Sequence, residues 1–108
     1  MKTIDKAVWQ TDGGVPEDKV VSHFRTVFEW LCRKGMLTQD GEQELEEGID
    51  DCAVLNDELV NGQGMAFLEE CYDSYLKEAA DFYGGDTDGK ILEEIYTKWC
   101  ADTQLSQG

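Results

Sequence analysis

Basic residues are scarce in this chain. Lysine and arginine together number 9 against 24 aspartates and glutamates, so the 108 residues carry a formal net charge of -15. The stretch 35–76 contains neither lysine nor arginine, although it holds 12 of the 24 acidic residues. Coulomb repulsion opposes contacts with phosphate, which disfavours charge-driven binding to nucleic acid or anionic lipid. Basic proteins are the partners that this charge favours.

Long apolar runs are also absent. No segment approaches the ~20 apolar residues that would span a membrane, and the opening MKTIDKAVWQ lacks the apolar core of a signal peptide. We therefore expect a soluble, cytoplasmic protein without a membrane partner. A hydrophobic content of 41% argues against disorder. The length predicts a single domain over residues 1–108.

The four cysteines lack the spacing of a chelating or redox pair. Cys32, Cys52, Cys71 and Cys100 form no CxxC motif, which argues against a zinc site and against thiol exchange. Three of the four fall at positions that face the core on predicted helices, where a thiol behaves as a small apolar group. We expect free, buried thiols rather than disulfides.

Histidine occurs once, at position 23. This excludes metal sites that need two imidazoles and paired di-iron motifs. Ser22 points about 100° away from His23 on a helix, so the two do not form a nucleophilic pair. No GxSxG, Walker or HExxH motif is present. We expect no enzyme, catalytic residue, metal or cofactor, and we predict that His23 forms a hydrogen bond at the edge of the core.

The first half of the chain predicts two helices. Residues 1–15 are expected to be irregular, with Trp9 packing onto a first helix over about 16–34. Pro16 suits the start of that helix and Gly35 its end. Apolar residues recur along this helix at three- and four-residue steps and should form one buried stripe: Val20, Phe24, Val27, Phe28 and Leu31.

A second helix is expected from the N-cap Thr38. Its apolar seam is thin and consists of Leu45, Ile49 and Cys52. Ala53, Val54 and Leu55 either continue it or start a short further turn, before a break at 61–64.

The second half of the chain has the strongest helical periodicity. Apolar residues from Met65 to Phe82 predict a central helix that ends at Gly84-Gly85, and Ile91 to Trp99 predict a last helix. The tail 102–108 is expected to fray. No window shows strand alternation between turn signals, so the sequence predicts an all-α fold, a compact bundle of about four main helices.

One loop resembles part of a calcium site. Asp86-Thr87-Asp88-Gly89 matches the middle of an EF-hand loop, but Gly84 and Ile95 stand where the first and last ligands are needed. A capped interhelical turn is therefore the favoured interpretation.

The acidic stretch is the predicted partner-binding surface. A run of 42 residues without lysine or arginine exceeds what solubility requires. Trp30 lies off the centre of the buried stripe, so it is either a residue of the core's edge or an exposed anchor for a partner. The candidate binding residues are Glu42, Glu44, Glu46, Glu47, Asp50, Asp51, Asp57, Glu58 and Trp30.

Several residues together resemble a group of small acidic bacterial immunity proteins of polymorphic toxin systems, which act in contact-dependent inhibition. The matching positions are Trp9, Gly14, Pro16, His23-Phe24 to Phe28, Trp30, Gly35-Met36-Leu37, Leu59, Gly64, Phe67 and Tyr72 to Leu76. The resemblance implies a cytosolic protein that binds and silences one cognate toxin, often a basic nuclease.

Two hypotheses from different classes follow. The first is an inhibitor whose carboxylates occupy the cationic site of a basic toxin; a DNA-mimicking inhibitor of nucleases predicts the same charge. The second is a small helical regulator that responds to a ligand or a divalent metal through the Asp86–Gly89 loop and the acidic helix. An enzyme would need a carboxylate pocket that no motif indicates. Monomer and homodimer both remain open.

Overall fold

The computed structural model describes residues 2–78 and 89–107. In chain order these form strand β1 (Thr3–Lys6), helices α1 (Ala7–Asp12), α2 (Glu17–Arg33) and α3 (Gln39–Glu47), strand β2 (Val54–Asn56), and helices α4 (Gly62–Glu78) and α5 (Lys90–Gln107). The protein is mostly helical, with a small two-stranded sheet. The prediction of a helical domain is confirmed, whereas the prediction of a purely all-α bundle of four helices is wrong.

Helix α2 is the element that the sequence predicts best. Pro16 immediately precedes it, Glu17 and Asp18 fill its first turn, and Gly35 follows its end with a φ of 70°. Acidic residues near the N-terminus suit the helix dipole, and glycine adopts a positive φ without steric cost. The predicted stripe is fully buried: Val20, Phe24, Val27, Phe28 and Leu31.

Aromatic side chains join α2, α4 and α5 into one core. The ring of Trp30 lies 5.4 Å from that of Phe67 on α4 and 5.4 Å from that of Tyr96 on α5, and Phe67 lies 5.4 Å from Trp99. These spacings are typical of favourable aromatic pairs. The core therefore lies between the three longest helices of the described chain.

The first residue of α4 and the last residue of α5 differ from the predicted ones. Helix α4 begins at Gly62, three residues before Met65. Its predicted end at Phe82 and the Gly84-Gly85 stop lie outside the described residues, as do Asp86 to Asp88 of the EF-hand-like loop. Helix α5 continues to Gln107, and the fraying of the tail from Asp102 stays a prediction.

The N-terminal segment is not irregular, contrary to the prediction. Strand β1 pairs antiparallel with β2, with Thr3 opposite Asn56 and Lys6 opposite Val54. Four residues are too few to show an alternating pattern, and the pairing partner lies about fifty positions later in the sequence. Trp9 follows on α1 and is 52% exposed, so the prediction that it packs onto the first long helix is also wrong.

The second predicted helix ends earlier than its apolar seam suggests. Gly48 follows α3 with a φ of 110°, so Ile49 and Cys52 do not extend the helical face of Leu45. The prediction that the thiols are buried is wrong, because Cys32 and Cys52 are exposed while Cys71 and Cys100 are partly buried. All four are free thiols, as predicted.

Candidate functional site: an acidic surface built on α3

Helix α3 starts at a well-formed cap. The Oγ1 of Thr38 accepts a hydrogen bond from the backbone N–H of Gly41 at 3.1 Å and donates one to the carbonyl oxygen of Glu58 at 2.6 Å. Asp40 and Glu42 lie in the first turn, where the positive end of the helix dipole favours carboxylates. The cap therefore connects the start of α3 to residue 58.

Close backbone packing holds α3 against the segment that precedes α4. The amide of Thr38 donates to the carbonyl of Leu59 at 3.0 Å, and the amide of Asn61 donates to the carbonyl of Met36 at 2.8 Å. Gly41 lies so close to Leu59 that a Cβ on it would meet the Leu59 carbonyl oxygen at 2.1 Å. This packing brings residues 57 and 58 beside α3, although they are more than ten positions away in sequence.

The carboxylates of α3 occupy its two flanks. At about 100° per residue, Asp40, Glu44 and Glu47 follow one side of the helix, and Glu42 and Glu46 follow the other. Gly41 and Leu45 lie between these flanks and face the protein. Asp50 and Asp51, which the sequence places in the same candidate binding surface, do not continue these rows, because the helix ends at Glu47.

Asp50 and Asp51 belong to a separate turn that leads into β2. The Oδ1 of Asp50 accepts a hydrogen bond from the amide of Cys52 at 2.9 Å, and its carbonyl accepts one from the amide of Ala53 at 3.2 Å. The carbonyl of Ala53 then accepts from the amide of Ala7 at 2.9 Å. This turn is thereby fixed to the start of α1.

Nine exposed carboxylates form what we call the acidic surface: Asp40, Glu42, Glu44, Glu46, Glu47, Asp50, Asp51, Asp57 and Glu58. Within residues 2–78 and 89–107, none of these nine forms an ion pair with a lysine or arginine side chain, although Asp57 accepts a hydrogen bond from the backbone amide of Lys2 at 3.2 Å. The ion pairs of that part of the chain involve other acids, Lys2 with Glu69 at 3.3 Å and Lys34 with Glu93 at 2.7 Å. No basic side chain of the described residues therefore neutralises the acidic surface.

The acidic turn also holds the ligand-like group Asp50, Asp51 and Cys52, whose donor atoms lie within 4.8 Å of one another. All three side chains are exposed. The negative charges of Asp51 and Asp50 raise the pKa of the Cys52 thiol, whereas a metal binds the thiolate. Nothing else at the turn points to an ion.

Trp30 is not on this surface. Its side chain is 1% exposed and its Nε1 donates a hydrogen bond to Glu93 Oε1 at 3.2 Å. The core position, one of the two alternatives from the sequence, is the observed one, so Trp30 in its buried position does not offer its ring to a partner. Among the described residues, the exposed large apolar side chains are instead Val8 and Trp9. Sequence periodicity missed them because α1 is only six residues long.

His23 lies in a buried polar network rather than a catalytic site. The hydroxyl of Tyr72 donates to Asp5 Oδ2 at 2.6 Å, and His23 Nε2 lies 2.8 Å from the same hydroxyl. Because the one hydroxyl proton goes to Asp5, the Nε2 of His23 is the donor to Tyr72. All three side chains are at most 5% exposed, so the network connects β1, α2 and α4 away from solvent. The predicted structural role of His23 agrees with this position.

Burial lowers the pKa of His23 to about 3, from its usual value of 6.5. The folded state therefore binds fewer protons than the unfolded state below pH 6.5, and stability falls as the pH is lowered. We expect His23 to account for a loss of about 2 kcal/mol in the free energy of unfolding between about pH 7.5 and about pH 5. The measurement is urea unfolding across this range for the wild type and for His23→Gln, which keeps a donor but does not titrate.

The difference between the two pH curves isolates His23 from the many carboxylates that titrate in both proteins. Parallel curves would contradict the burial of a neutral imidazole.

No protein-family model, curated protein or solved structure matches this chain. Among the described residues, no helix combines the length and the apolar character needed to cross a bilayer.

Proposed function

We propose that this protein is an inhibitor that binds a basic protein through the acidic surface, acting in the cytoplasm as an immunity protein that blocks a cognate nuclease toxin. The observation that carries the proposal is the composition of α3. Five of its nine residues are acidic, none is basic, and the exposed carboxylates form no ion pair among the residues that the structure describes.

Folding alone does not favour these residues. Asp40 and Glu44, and Glu42 and Glu46, are like charges four positions apart, which destabilise a helix by about 0.2–0.5 kcal/mol per pair. Glu46 and Glu47 lie in the last turn, where the negative end of the helix dipole opposes them. The packing of Gly41 and the Thr38 cap hold the helix in place despite this repulsion. Stability lost on a surface is a common sign that the surface serves binding.

A nuclease offers the complementary surface. Its active site must attract phosphate with lysine and arginine, and carboxylates on a rigid helix can occupy the same cationic groups. Electrostatic attraction of this kind can raise association rates to ~10⁸ M⁻¹s⁻¹ at low salt. Inhibition would follow from occlusion of the active site, with no chemistry performed by the acidic protein.

The first experiment identifies the partner. The tagged protein, immobilised at low salt, is exposed to lysate of the cells that produce it, and bound proteins are eluted with rising salt. We expect one basic protein, which degrades nucleic acid when released and is inhibited again by an equimolar amount of the acidic protein. Recovery of no such protein, or of one whose activity is unaffected, would contradict the proposed function.

A charge reversal then tests the surface. We expect Glu46→Lys together with Glu47→Lys to slow association with that partner about tenfold or more, because steering depends on local charge. The same change should stabilise the fold by about 1 kcal/mol, since lysine suits the helix C-terminus and Glu42 gains an opposite charge at position 46. Stopped-flow kinetics and urea unfolding measure the two effects.

The matched control is Asp73→Lys together with Glu94→Lys. Both residues are exposed on other helices, and the change in net charge is identical. It should slow association far less and should not stabilise the protein. Equal effects of the two double variants on association would show that total charge matters and α3 does not.

A further inference from the structure

Helix α1 presents two apolar side chains to solvent. Val8 is 43% exposed and Trp9 is 52% exposed. Isolated exposed apolar residues are common on protein surfaces. Here two of them are neighbours, and one is tryptophan, a residue type that is enriched at binding hot spots.

Contacts on its inner side fix α1. Ala7 is fully buried and its amide donates to the carbonyl of Ala53. The Nε2 of Gln10 donates to both carboxylate oxygens of the buried Asp5, at 3.0 and 3.2 Å. After the helix, the amide of Val15 donates back to the carbonyl of Gln10 at 3.1 Å. Val8 and Trp9 are therefore presented on a fixed support, which lowers the entropic cost of binding through them.

The acidic turn lies next to this support. Ala53, which bonds to Ala7, follows Asp51 by two residues. With about 3.8 Å between consecutive Cα atoms and about 5 Å across the hydrogen-bonded pair, the Cα atoms of Asp51 and Ala7 are within about 13 Å. Asp12 adds an exposed carboxylate on α1 itself, and the Nζ of Lys6 lies 5.7 Å from the ring centroid of Trp9. The apolar pair and the carboxylates of Asp12, Asp50 and Asp51 thus lie on two segments that the Ala7–Ala53 hydrogen bond joins.

We propose that Val8, Trp9 and the turn Asp50–Cys52 form one docking surface for a basic polypeptide that carries an apolar side chain among its cationic residues. This inference rests on the proposed function and specifies the anchor of the binding surface. Charge complementarity selects the occupant. A second copy of this chain also carries a net charge of -15 and would bring its own acidic turn against this one.

The two parts of the docking surface have different kinetic roles. Carboxylates act at a distance and set the association rate, whereas a buried aromatic contact acts only after docking and sets the dissociation rate. A partner that only displayed positive charge would gain nothing from Trp9. This difference makes the anchor separable from the charge.

Two synthetic peptides provide the probe. One is acetyl-Lys-Arg-Leu-Phe-Arg-Lys-amide and the other replaces its central Leu-Phe with Ser-Ser, so that both carry the same charge. We expect the wild type to bind the Leu-Phe peptide about fivefold more tightly at low ionic strength, as measured by calorimetry, because burying apolar surface adds affinity beyond charge. Trp9→Ala should abolish this preference and leave the weaker, salt-dependent binding of the Ser-Ser peptide unchanged. Trp9→Phe, which retains an apolar ring, should keep most of it.

Each other outcome overturns the inference in a distinct way. An equal affinity for both peptides, or a preference that survives Trp9→Ala, excludes the anchor while leaving the inhibitor function in place. Failure of both peptides to bind excludes this surface as a site for a basic chain. Sedimentation that shows a dimer dissociated by Trp9→Ala would assign the surface to a second copy. The proposed function is tested separately, because it is contradicted only when no such toxin is recovered from lysate or when the recovered protein is not inhibited.

Discussion

Tyr72→Phe is expected to lower the free energy of unfolding by about 3 kcal/mol. The missing hydroxyl leaves Asp5 Oδ2 with only the longer 3.2 Å contact to Gln10 and removes the acceptor of the His23 Nε2 proton. Both groups are buried, so water does not replace the lost hydrogen bonds without a rearrangement. Urea unfolding at neutral pH measures the change.

Tyr96→Phe is the control for the loss of a tyrosine hydroxyl. The Tyr96 hydroxyl accepts a hydrogen bond from Gln63 at 3.4 Å in an exposed position, where water can substitute for it. We expect a cost well under about 1 kcal/mol. If the two variants are equally stable, the buried network does not contribute in solution. A double-mutant cycle between Tyr72→Phe and Asp5→Asn would then be expected to show no coupling, whereas the network predicts more than about 1 kcal/mol.

Gly41→Ala is expected to destabilise the protein by about 3 kcal/mol, by overpacking. Its Cβ would approach the Leu59 carbonyl oxygen to 2.1 Å and the Leu37 Cβ to 3.2 Å. A carbonyl that already accepts the Thr38 amide cannot turn away without breaking that hydrogen bond. Helix propensity alone predicts the opposite sign, since alanine stabilises a helix by about 1 kcal/mol over glycine. Urea unfolding gives the size of the effect, and hydrogen exchange of the α3 amides shows where it acts.

The matched variant is Gly62→Ala, at the start of α4. No atom from elsewhere in the described chain lies within 4 Å of a Cβ built there. Helix propensity should therefore determine the change in stability, and the variant should be as stable as the wild type or more stable. A neutral Gly41→Ala would mean that α3 does not pack against residue 59 as described. The acidic surface would then lose the contact that brings Glu58 to α3.

Helix α2 could be predicted from the sequence because its signals are local. A regular apolar stripe, Pro16 before its first turn and Gly35 after its end all lie within twenty residues of one another. Helices α4 and α5 could likewise be predicted from the regular spacing of their apolar residues. The exposure of the acidic residues also follows from charge, because burying a carboxylate without a partner is costly.

The features that the sequence did not predict depend on contacts between distant residues. Strands β1 and β2 are four and three residues long and pair across about fifty positions, so neither shows a pattern by itself. The burial of Trp30 depends on Tyr96 and Phe67, which arrive from two other helices. The exposure of Trp9 depends on how the β1–β2 pairing orients α1. The position of Glu58 beside α3 depends on a glycine whose missing side chain carries no periodic signal.

The turn that presents Asp50 and Asp51 has a further consequence for the sulfur chemistry of the surface. Thiols react with oxidants and disulfides as thiolates, and the two carboxylates beside Cys52 raise the pKa of its thiol and so reduce its thiolate fraction. Cys52 is free and exposed, so a larger thiolate fraction would favour a disulfide between two copies at the proposed docking surface. The charge that we propose for binding a basic protein therefore also lowers the thiolate fraction of the neighbouring sulfur. The acidic turn thus disfavours the reactive thiolate form of Cys52 at this surface.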